Sequence, residues 1–185
     1  MSLFEPSLTL VIPAFNEADN LKVVLPEALR YIAERCVNCQ ILLVDDGSSD
    51  DTAKVAAEFA AQHPERLRVL THSQNQGLTA ALRSGFFGAH SELVTWIPAD
   101  GQIALTELDK MLRAYRGEDL LLTTYRHRPD GLWRATMSRT VRLLVRAATG
   151  FADRLEGPYL FRRALIDELN RVCLRSAGSI GLEIA

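Results

Sequence analysis

Three features that would each define a class of protein are missing from this sequence. No apolar run approaches the roughly 20 residues that a helix needs to cross a bilayer. No signal peptide opens the chain, and its three cysteines are an odd number, so we expect a reducing, cytoplasmic location. The formal net charge is only −2, which argues against a nucleic-acid partner because such proteins usually carry a strongly basic face.

Two of the cysteines, Cys36 and Cys39, form a C-x-x-C motif. A zinc site needs a second pair of ligands, and the sequence offers none at a suitable spacing. The motif falls late in a predicted helix or in the loop that follows it. We therefore interpret both cysteines as structural rather than as a redox or metal centre.

The sequence does contain enough apolar material for a core. Its 185 residues are 48% hydrophobic, which predicts a single domain over residues 1–185. The sequence stops at Ala185 with no turn or polar tail before it, so we expect a truncated C-terminus. Residues 1–121 are acidic overall and residues 122–185 are basic. The arginines of the basic third suit a diphosphate or an anionic membrane surface, or they are simply solvated.

Short apolar runs alternate with helical patterns through the first two-thirds of the chain. Because the runs are nearly continuous, they predict an α/β fold with a mostly parallel central sheet flanked by helices on both faces. In such sheets ligands bind beyond the carboxyl ends of the strands. The predicted strands are 8–13, 41–45, 67–72, 93–97 and 120–124, and the predicted helices are 17–35, 50–62, 77–89 and 104–116.

Residues 132–151 form a longer pattern, with apolar residues three and four apart and arginines beside them. The pattern predicts a basic amphipathic helix. Such a helix either lies in a membrane interface or packs its apolar stripe on the sheet. The first alternative places the protein peripherally at the cytoplasmic face of a membrane.

Polar clusters follow the first two predicted strands. They are Pro13-Ala14-Phe15-Asn16-Glu17 and Asp45-Asp46-Gly47-Ser48-Ser49-Asp50. Asn16 is suited to cap the first helix, and Ser49 or Asp50 is suited to cap the second. Adjacent carboxylates at a strand end also accept hydrogen bonds from a base or a ribose, so the second cluster by itself leaves both interpretations open.

Two more clusters follow the third and fourth strands. They are Asn75-Gln76-Gly77 and Pro98-Ala99-Asp100-Gly101-Gln102. Gly77, Ala81 and Gly85 are four residues apart, so one helix face is nearly bare and lets backbone approach the sheet or a ligand. Asp100 and Gln102 can both reach one hard cation, or Asp100 can simply cap a turn.

Taken together, the four clusters resemble one family. The strings P-x-F-N-E, V-D-D-G-S-x-D, N-x-G-L-x-x-A-x-x-x-G and A-D-x-Q occur in the order and at the strand ends typical of family 2 glycosyltransferases with the GT-A fold. The resemblance covers roughly residues 8–165. Shorter motifs in the second half resemble polyprenyl-phosphate glycosyltransferases such as dolichyl-phosphate mannose synthase. Those motifs are Ser138-Arg139, Arg146, Gly150 and Asp153-x-x-x-Gly157-x-x-x-Phe161-Arg162-Arg163.

The resemblance implies a nucleoside-diphosphate sugar as donor and a polyprenyl phosphate as acceptor. It also implies Mg²⁺ or Mn²⁺ held by Asp100 and Gln102, although Pro98 stands where the family has the first aspartate of its metal string. Asp46 or its neighbour would bind the edge of the base. The implied donor-binding residues are Pro13, Ala14, Phe15, Glu17, Asp45, Asp46, Asn75, Gly77, Ala99, Asp100 and Arg128.

The family inverts configuration at the sugar carbon in a single displacement. A diphosphate leaving group needs its developing charge neutralised, which guanidinium groups do well. Arg126 and Arg139 are therefore our catalytic candidates, together with Asp153. A phosphate acceptor needs little general-base help, whereas a hydroxyl acceptor would need a carboxylate such as Asp153 to take its proton.

Two alternatives keep the same fold. In one, the acceptor is a saccharide or another hydroxylated molecule. In the other, which the proline at position 98 favours, the protein binds a nucleotide sugar with weak or no turnover. A dinucleotide-dependent dehydrogenase is excluded because no G-x-G-x-x-G follows the first predicted strand.

Overall fold

The computed structural model describes residues 6–36, 38–123 and 158–168. All nine elements predicted over residues 8–124 are present, with bounds that differ by a few residues. The elements are β1 (Leu8–Ala14), α1 (Ala18–Arg35), β2 (Cys39–Asp45), α2 (Thr52–Gln62), β3 (Leu67–Thr71), α3 (Leu78–Gly88), β4 (Leu93–Trp96), α4 (Leu105–Ala114), β5 (Leu120–Leu122) and β6 (Tyr159–Arg162). The amphipathic helix predicted at 132–151 lies outside the described residues.

Internal contacts divide the chain into two units, residues 1–121 with 159–185 and residues 122–158. In the second unit the structure describes residues 122, 123 and 158, and the Thr123 hydroxyl donates a hydrogen bond of 2.5 Å to the Pro158 carbonyl. All the site residues described below belong to the first unit. A single domain over residues 1–185 stays a prediction.

The sheet has six strands in the order β3-β2-β1-β4-β6-β5. The four strands β3, β2, β1 and β4 are parallel, as predicted. β6, which the sequence analysis did not predict, pairs with β4 in the antiparallel direction. The mostly parallel α/β architecture of the prediction is therefore confirmed, with one antiparallel strand added.

Both faces of the sheet are covered, which explains the nearly continuous apolar strands. Alternate residues of β1 point to opposite faces: Leu10 and Ile12 belong to the core under α1 and α4, and Val11 belongs to the smaller core under α3. All three side chains are fully buried. The central strands are thereby fixed, and only their ends and loops are free to form a site.

Helix α3 packs closely on the sheet through its small residues, as the bare helix face indicated. A Cβ built on Gly85 would lie 2.3 Å from Cγ1 of Val11. We expect Gly85→Ala to lower the free energy of unfolding by about 1–3 kcal/mol, because extra volume in a packed core forces neighbours to shift. Urea denaturation measures this. Gly88→Ala in the same helix is the contrasting variant and should cost less, because its Cβ would meet only the ends of the Leu42 and Leu70 side chains, each at 3.1 Å.

Cys36 and Cys39 are joined by a disulfide, with Cα atoms 5.5 Å apart. The sequence analysis assigned the pair a structural role but did not predict this bond, which disagrees with the reducing environment that it expected. Both residues are buried, and the Cys36 N–H donates to the Ile32 carbonyl at the end of α1. The disulfide therefore fixes the turn from α1 into β2. Among the described residues, no helix is long and apolar enough to cross a membrane.

Candidate functional site

Three of the predicted clusters lie along one edge of the sheet, where adjacent parallel strands end. β1 lies between β2 and β4, and the Asp46 N–H extends the β2 ladder by donating to the Ala14 carbonyl at 2.9 Å. On the other side of β1, the Ile97 N–H donates to the Val11 carbonyl at 3.1 Å. Two strand spacings thus separate the loops of Asp46 and Asp100, a distance on the order of 10 Å. The two carboxylates share one edge.

The loops after β1 and β2 are tied together by Asn16. Its N–H donates to Ser48 Oγ at 2.9 Å, and its side-chain Oδ1 accepts the Ser49 N–H at 2.9 Å. Asn16 has φ of +57°, a left-handed conformation that asparagine tolerates better than most residues. The prediction that Asn16 caps α1 is wrong, because Glu17 takes the N-cap position and the Asn16 amide is engaged by the neighbouring loop.

Asp50 connects the beginnings of α1 and α2. One carboxylate oxygen accepts the Ala18 N–H at 3.3 Å, and the other accepts the Thr52 N–H at 2.9 Å. Hydrogen bonds hold the pKa of Asp50 below its usual value, and the bond from the Thr52 hydroxyl contributes most to this. The prediction that Ser49 or Asp50 caps α2 is wrong, because Asp51 occupies the N-cap position and Asp50 accepts from Thr52 from one residue further back.

Asp45 is buried at the end of β2 with 1% of its surface exposed. Its Oδ1 accepts the Ser48 N–H at 3.1 Å and the Ser48 hydroxyl at 2.5 Å. Its Oδ2 is buried and has no hydrogen-bond partner in the structure. The side chain therefore shapes the turn that presents Asp46, while one of its oxygens remains unsatisfied.

Asp46 is 3% exposed, and its carboxylate is held by three donors. Oδ1 accepts the Gln76 N–H at 3.0 Å and is 2.6 Å from His72 Nδ1, and Oδ2 accepts the Gly77 N–H at 2.7 Å. Burial by itself would raise the pKa of Asp46, but the hydrogen bonds from His72, Gln76 and Gly77 outweigh it, so the pKa lies below its usual value. Asp46 is therefore an ionised anchor for the loop after β3.

His72 is a site residue that the sequence analysis missed. It follows β3 directly, and its Nε2 lies 2.8 Å from Ser84 Oγ on α3. The only signal in the sequence was a lone histidine at the end of a predicted strand, which specifies no partner. Its role emerges only once the parallel pairing of β2 and β3 brings it beside Asp46.

The loops after β2 and β3 also approach each other closely. Gly47 has φ of +68°, and a Cβ built there would lie 2.3 Å from the carbonyl carbon of Gln74. Only glycine fits this position. Gly77, with φ of +89°, is the N-cap residue of α3, and the predicted donor residue Asn75 is exposed beside it. The third cluster thus joins the first two at the same edge.

The turn after β4 presents Asp100 to solvent. Ala99 is buried, while Asp100 and Gln102 are exposed, and Asp100 Oδ1 accepts the Gln102 N–H at 2.9 Å. Within residues 6–36, 38–123 and 158–168, no three His, Cys, Asp or Glu side chains are grouped closely enough to hold a metal ion. Asp100 and Gln102 offer the oxygen ligands that Mg²⁺ and Mn²⁺ prefer, but they need further oxygens from a bound ligand to fill the coordination shell.

The other predicted site residues differ in how far their side chains are exposed. Pro13 and Ala14 are buried within β1, so they can shape the site through the backbone. Phe15 is 43% exposed, and the Glu17 carboxylate accepts a hydrogen bond from the Asn20 side-chain amide. The remaining candidates lie outside the described residues: Arg126, Arg128, Arg139 and Asp153.

Comparisons with known proteins agree with this geometry. The chain is 20% identical to a mannosyltransferase from Pyrobaculum calidifontis solved with GDP-mannose and Mn²⁺, with a TM-score of 0.61 over 89% of this chain and 47% of the other. It has the same TM-score and identity against glucosyl-3-phosphoglycerate synthase from Mycobacterium tuberculosis, solved with Mn²⁺, UDP and phosphoglyceric acid, over 86% and 57% of the two chains. The fold is therefore that of the GT-A glycosyltransferases.

A family model then gives the more specific assignment. Residues 9–174 match the model described as glycosyl transferase family 2, and the chain belongs to that family. It is 32% identical over 169 residues to undecaprenyl-phosphate 4-deoxy-4-formamido-L-arabinose transferase from Klebsiella pneumoniae. That alignment covers 88% of this chain and 50% of the relative, so the chain spans about half the length of the curated relatives it matches.

Proposed function

We propose that this chain carries the donor-binding site of an inverting glycosyltransferase that moves a sugar from a nucleoside diphosphate to a polyprenyl phosphate. The observation that carries the proposal is the set of loops at the carboxyl ends of the parallel strands: hydrogen bonds join the loops after β1, β2 and β3, and the loop after β4 lies at the same edge. They present acidic and backbone groups at the edge of a parallel sheet where such folds bind ligands. The relative named for transfer to undecaprenyl phosphate supports the choice of acceptor.

In the proposed reaction, the bond between the anomeric carbon and the donor diphosphate breaks while a bond to an oxygen of the acceptor phosphate forms. The nucleoside diphosphate leaves with the electron pair. A divalent cation, when bound, neutralises charge on the diphosphate. Asp100 and Gln102 would hold it together with phosphate oxygens. Solved GT-A structures that contain Mn²⁺ with a nucleotide support the presence of a divalent cation.

We assign the remaining chemistry to side chains beyond β5. Arg126, Arg128 and Arg139 would pair with phosphate oxygens of the donor and the acceptor, because a guanidinium group binds phosphate in a bidentate geometry. Asp153 would orient these arginines or the sugar hydroxyls. With a hydroxyl acceptor it would instead take the proton of the attacking group. The roles of Arg139 and Asp153 rest on the family motifs, and those of Arg126 and Arg128 rest on their position after the fifth predicted strand.

The state of Asp46 leads to a prediction about the donor base. An ionised carboxylate has about four acceptor positions, and three of those on Asp46 are taken within the protein. The fourth can accept one N–H of a base; uracil and guanine offer a ring N–H, as in the GDP-mannose and UDP of the solved neighbours, whereas adenine and cytosine would have to use an exocyclic amine. We expect UDP or GDP to raise the melting temperature more than ADP or CDP in a thermal-shift screen with Mn²⁺. Equal shifts for all four would remove Asp46 from base recognition.

The acceptor class is tested by product formation. The protein is incubated with radiolabelled nucleotide sugar and either a short-chain polyprenyl phosphate or a panel of free sugars. Transfer to the polyprenyl phosphate alone supports the proposal, and transfer to sugars alone supports a hydroxyl acceptor. Donor binding by calorimetry without any product, in the presence of Mn²⁺, would favour the second candidate, a nucleotide-sugar-binding protein, which the proline at position 98 supports.

A lipid acceptor also implies contact with a membrane surface. We propose peripheral association through the basic segment 132–151, whose arginines suit anionic headgroups. Flotation with liposomes that contain anionic phospholipid should bring the protein to the top of the gradient, and neutral liposomes should bring less. Absence of the protein from both floated fractions would contradict membrane association.

A further inference from the structure

A chain of hydrogen bonds joins β2, β3 and α3 behind the site. His72 Nδ1 lies 2.6 Å from Asp46 Oδ1, and His72 Nε2 lies 2.8 Å from Ser84 Oγ. The Asp46 side chain is 4% exposed and the His72 side chain 11% exposed, so water competes little for these bonds. The His72 N–H also donates to the Asp45 carbonyl at 2.9 Å, which fixes the residue at both its backbone and its ring.

The donor and acceptor roles in the hydrogen bonds that link Asp46, His72 and Ser84 follow from elementary chemistry. An ionised Asp46 can only accept, so His72 Nδ1 carries a proton and donates it. Nε2 accepts from the Ser84 hydroxyl when the ring is neutral and donates to Ser84 Oγ when the ring is protonated, so the bond is kept in both states. Because Ser84 belongs to α3, the carboxylate of Asp46 is linked through His72 to a helix that packs on the sheet.

The sequence of groups, carboxylate to imidazole to hydroxyl, is also the one used for nucleophilic catalysis by serine. That function does not fit this position. Ser84 lies in the middle of α3 (Leu78–Gly88), where the backbone N–H groups are used by the helix and cannot form an oxyanion hole. These hydrogen bonds therefore have a structural role. They hold the carboxylate of Asp46 and, through it, the loop after β3.

We propose that His72 and Ser84 are positioning residues of the donor site. They hold Asp46 so that it binds the Gln76 and Gly77 N–H groups and keeps the loop after β3 against Gly47. This inference rests on the proposed function for the identity of the ligand, a nucleoside diphosphate, while the restraint on the loop is a property of the protein alone.

Three variants separate the two bonds of His72. His72→Leu removes both bonds, and Ser84→Ala removes only the partner of Nε2. His72→Asn is the conservative variant, because its amide nitrogen takes roughly the place of Nδ1 and keeps the bond to Asp46. His90→Asn is the matched control, since His90 is an exposed histidine just after α3.

The first readout is the calorimetric Kd of the full chain for UDP and GDP with Mn²⁺. We expect His72→Leu to raise the Kd about tenfold, which corresponds to about 1.4 kcal/mol. Ser84→Ala should give a smaller increase, and His72→Asn should restore most of the affinity. Recovery by asparagine is what a positioning role requires, because a merely space-filling role would be served as well by leucine. Equal affinity of His72→Leu and the wild type would overturn the proposal.

The second readout does not depend on any ligand. Amide hydrogen exchange at Gln76 and Gly77 should become faster in His72→Leu and stay slow in His72→Asn and His90→Asn. Unchanged exchange in His72→Leu would show that the loop is held without His72 and would overturn the positioning role. If the wild type bound neither UDP nor GDP, the proposed function would fail, and the exchange data would still decide whether His72 positions the loop.

Discussion

Replacing Asp100 by asparagine should abolish the part of donor binding that depends on a divalent cation. Asparagine keeps an oxygen for the Gln102 N–H but loses the negative charge that a hard cation requires. At a ligand concentration of 100 times Kd, binding stabilises a protein by about 2.7 kcal/mol. For a chain of this size that corresponds to roughly 5–10 °C in melting temperature. Thermal shifts with UDP or GDP, with and without Mn²⁺, measure the loss.

The control for this experiment is Asp51→Asn. Asp51 is also an exposed aspartate at the same edge of the sheet, but its side chain makes no capping hydrogen bond to α2. Its variant should keep the full Mn²⁺-dependent shift. A normal shift in Asp100→Asn would place the cation elsewhere and remove Asp100 and Gln102 from the metal site.

The second large effect is expected on stability, from Asp46→Asn. The Asp46 carboxylate accepts hydrogen bonds from three donors. In asparagine one of the two oxygens becomes an NH₂ group, which cannot accept, so at least one buried N–H would lose its partner. An unsatisfied buried group of this kind costs about 1–3 kcal/mol, and hydrogen bonds to a charged group are the stronger ones. We expect urea denaturation at pH 7 to show a loss of about 2–4 kcal/mol in the free energy of unfolding.

The pH dependence identifies the charge as the cause. The folded protein holds the pKa of Asp46 below its ordinary value of 3.8, so the ionised carboxylate stabilises the fold above that value. Its contribution is lost as the pH falls through the lower, folded-state pKa. The difference between wild type and Asp46→Asn should therefore be constant from pH 7 to about 5 and shrink below about 4. A difference that stayed constant to pH 3 would mean that charge is not involved.

The fold was largely predictable because strong local signals agree with the tertiary structure. The buried strands β1, β2 and β4 are nearly continuous apolar runs, and each is followed by a helix with an apolar stripe. The parallel order then follows from the crossover helices. β6 was missed because it is a run of four residues that carries no distinguishing periodicity, and its antiparallel pairing with β4 is a long-range choice.

The site was predictable in its positions and much less in its contacts. The sequence pattern placed Asp46 and Asp100 just after predicted strands. Because parallel strands bring their carboxyl ends to one edge of a sheet, it also predicted that the two residues share that edge. It did not indicate that the Asn16 side chain would bind the neighbouring loop rather than cap α1, since both uses suit an asparagine before a helix. His72 acquires its partners only when β2 and β3 pair in register, which no local pattern encodes.

In the proposed function, the loops after β1, β2 and β4 together bind one nucleoside diphosphate and its cation. Mn²⁺ is paramagnetic and broadens nuclear resonances steeply with proximity, so it locates the cation directly. With UDP or GDP present, Mn²⁺ should broaden the amide signals of Gly101 and Gln102 most, with weaker broadening at Phe15, Asp46 and Gly47. With Mg²⁺ in place of Mn²⁺, the nucleotide should shift the signals of all three loops. Broadening near Asp100 with no response in the loops after β1 and β2 would contradict the shared site.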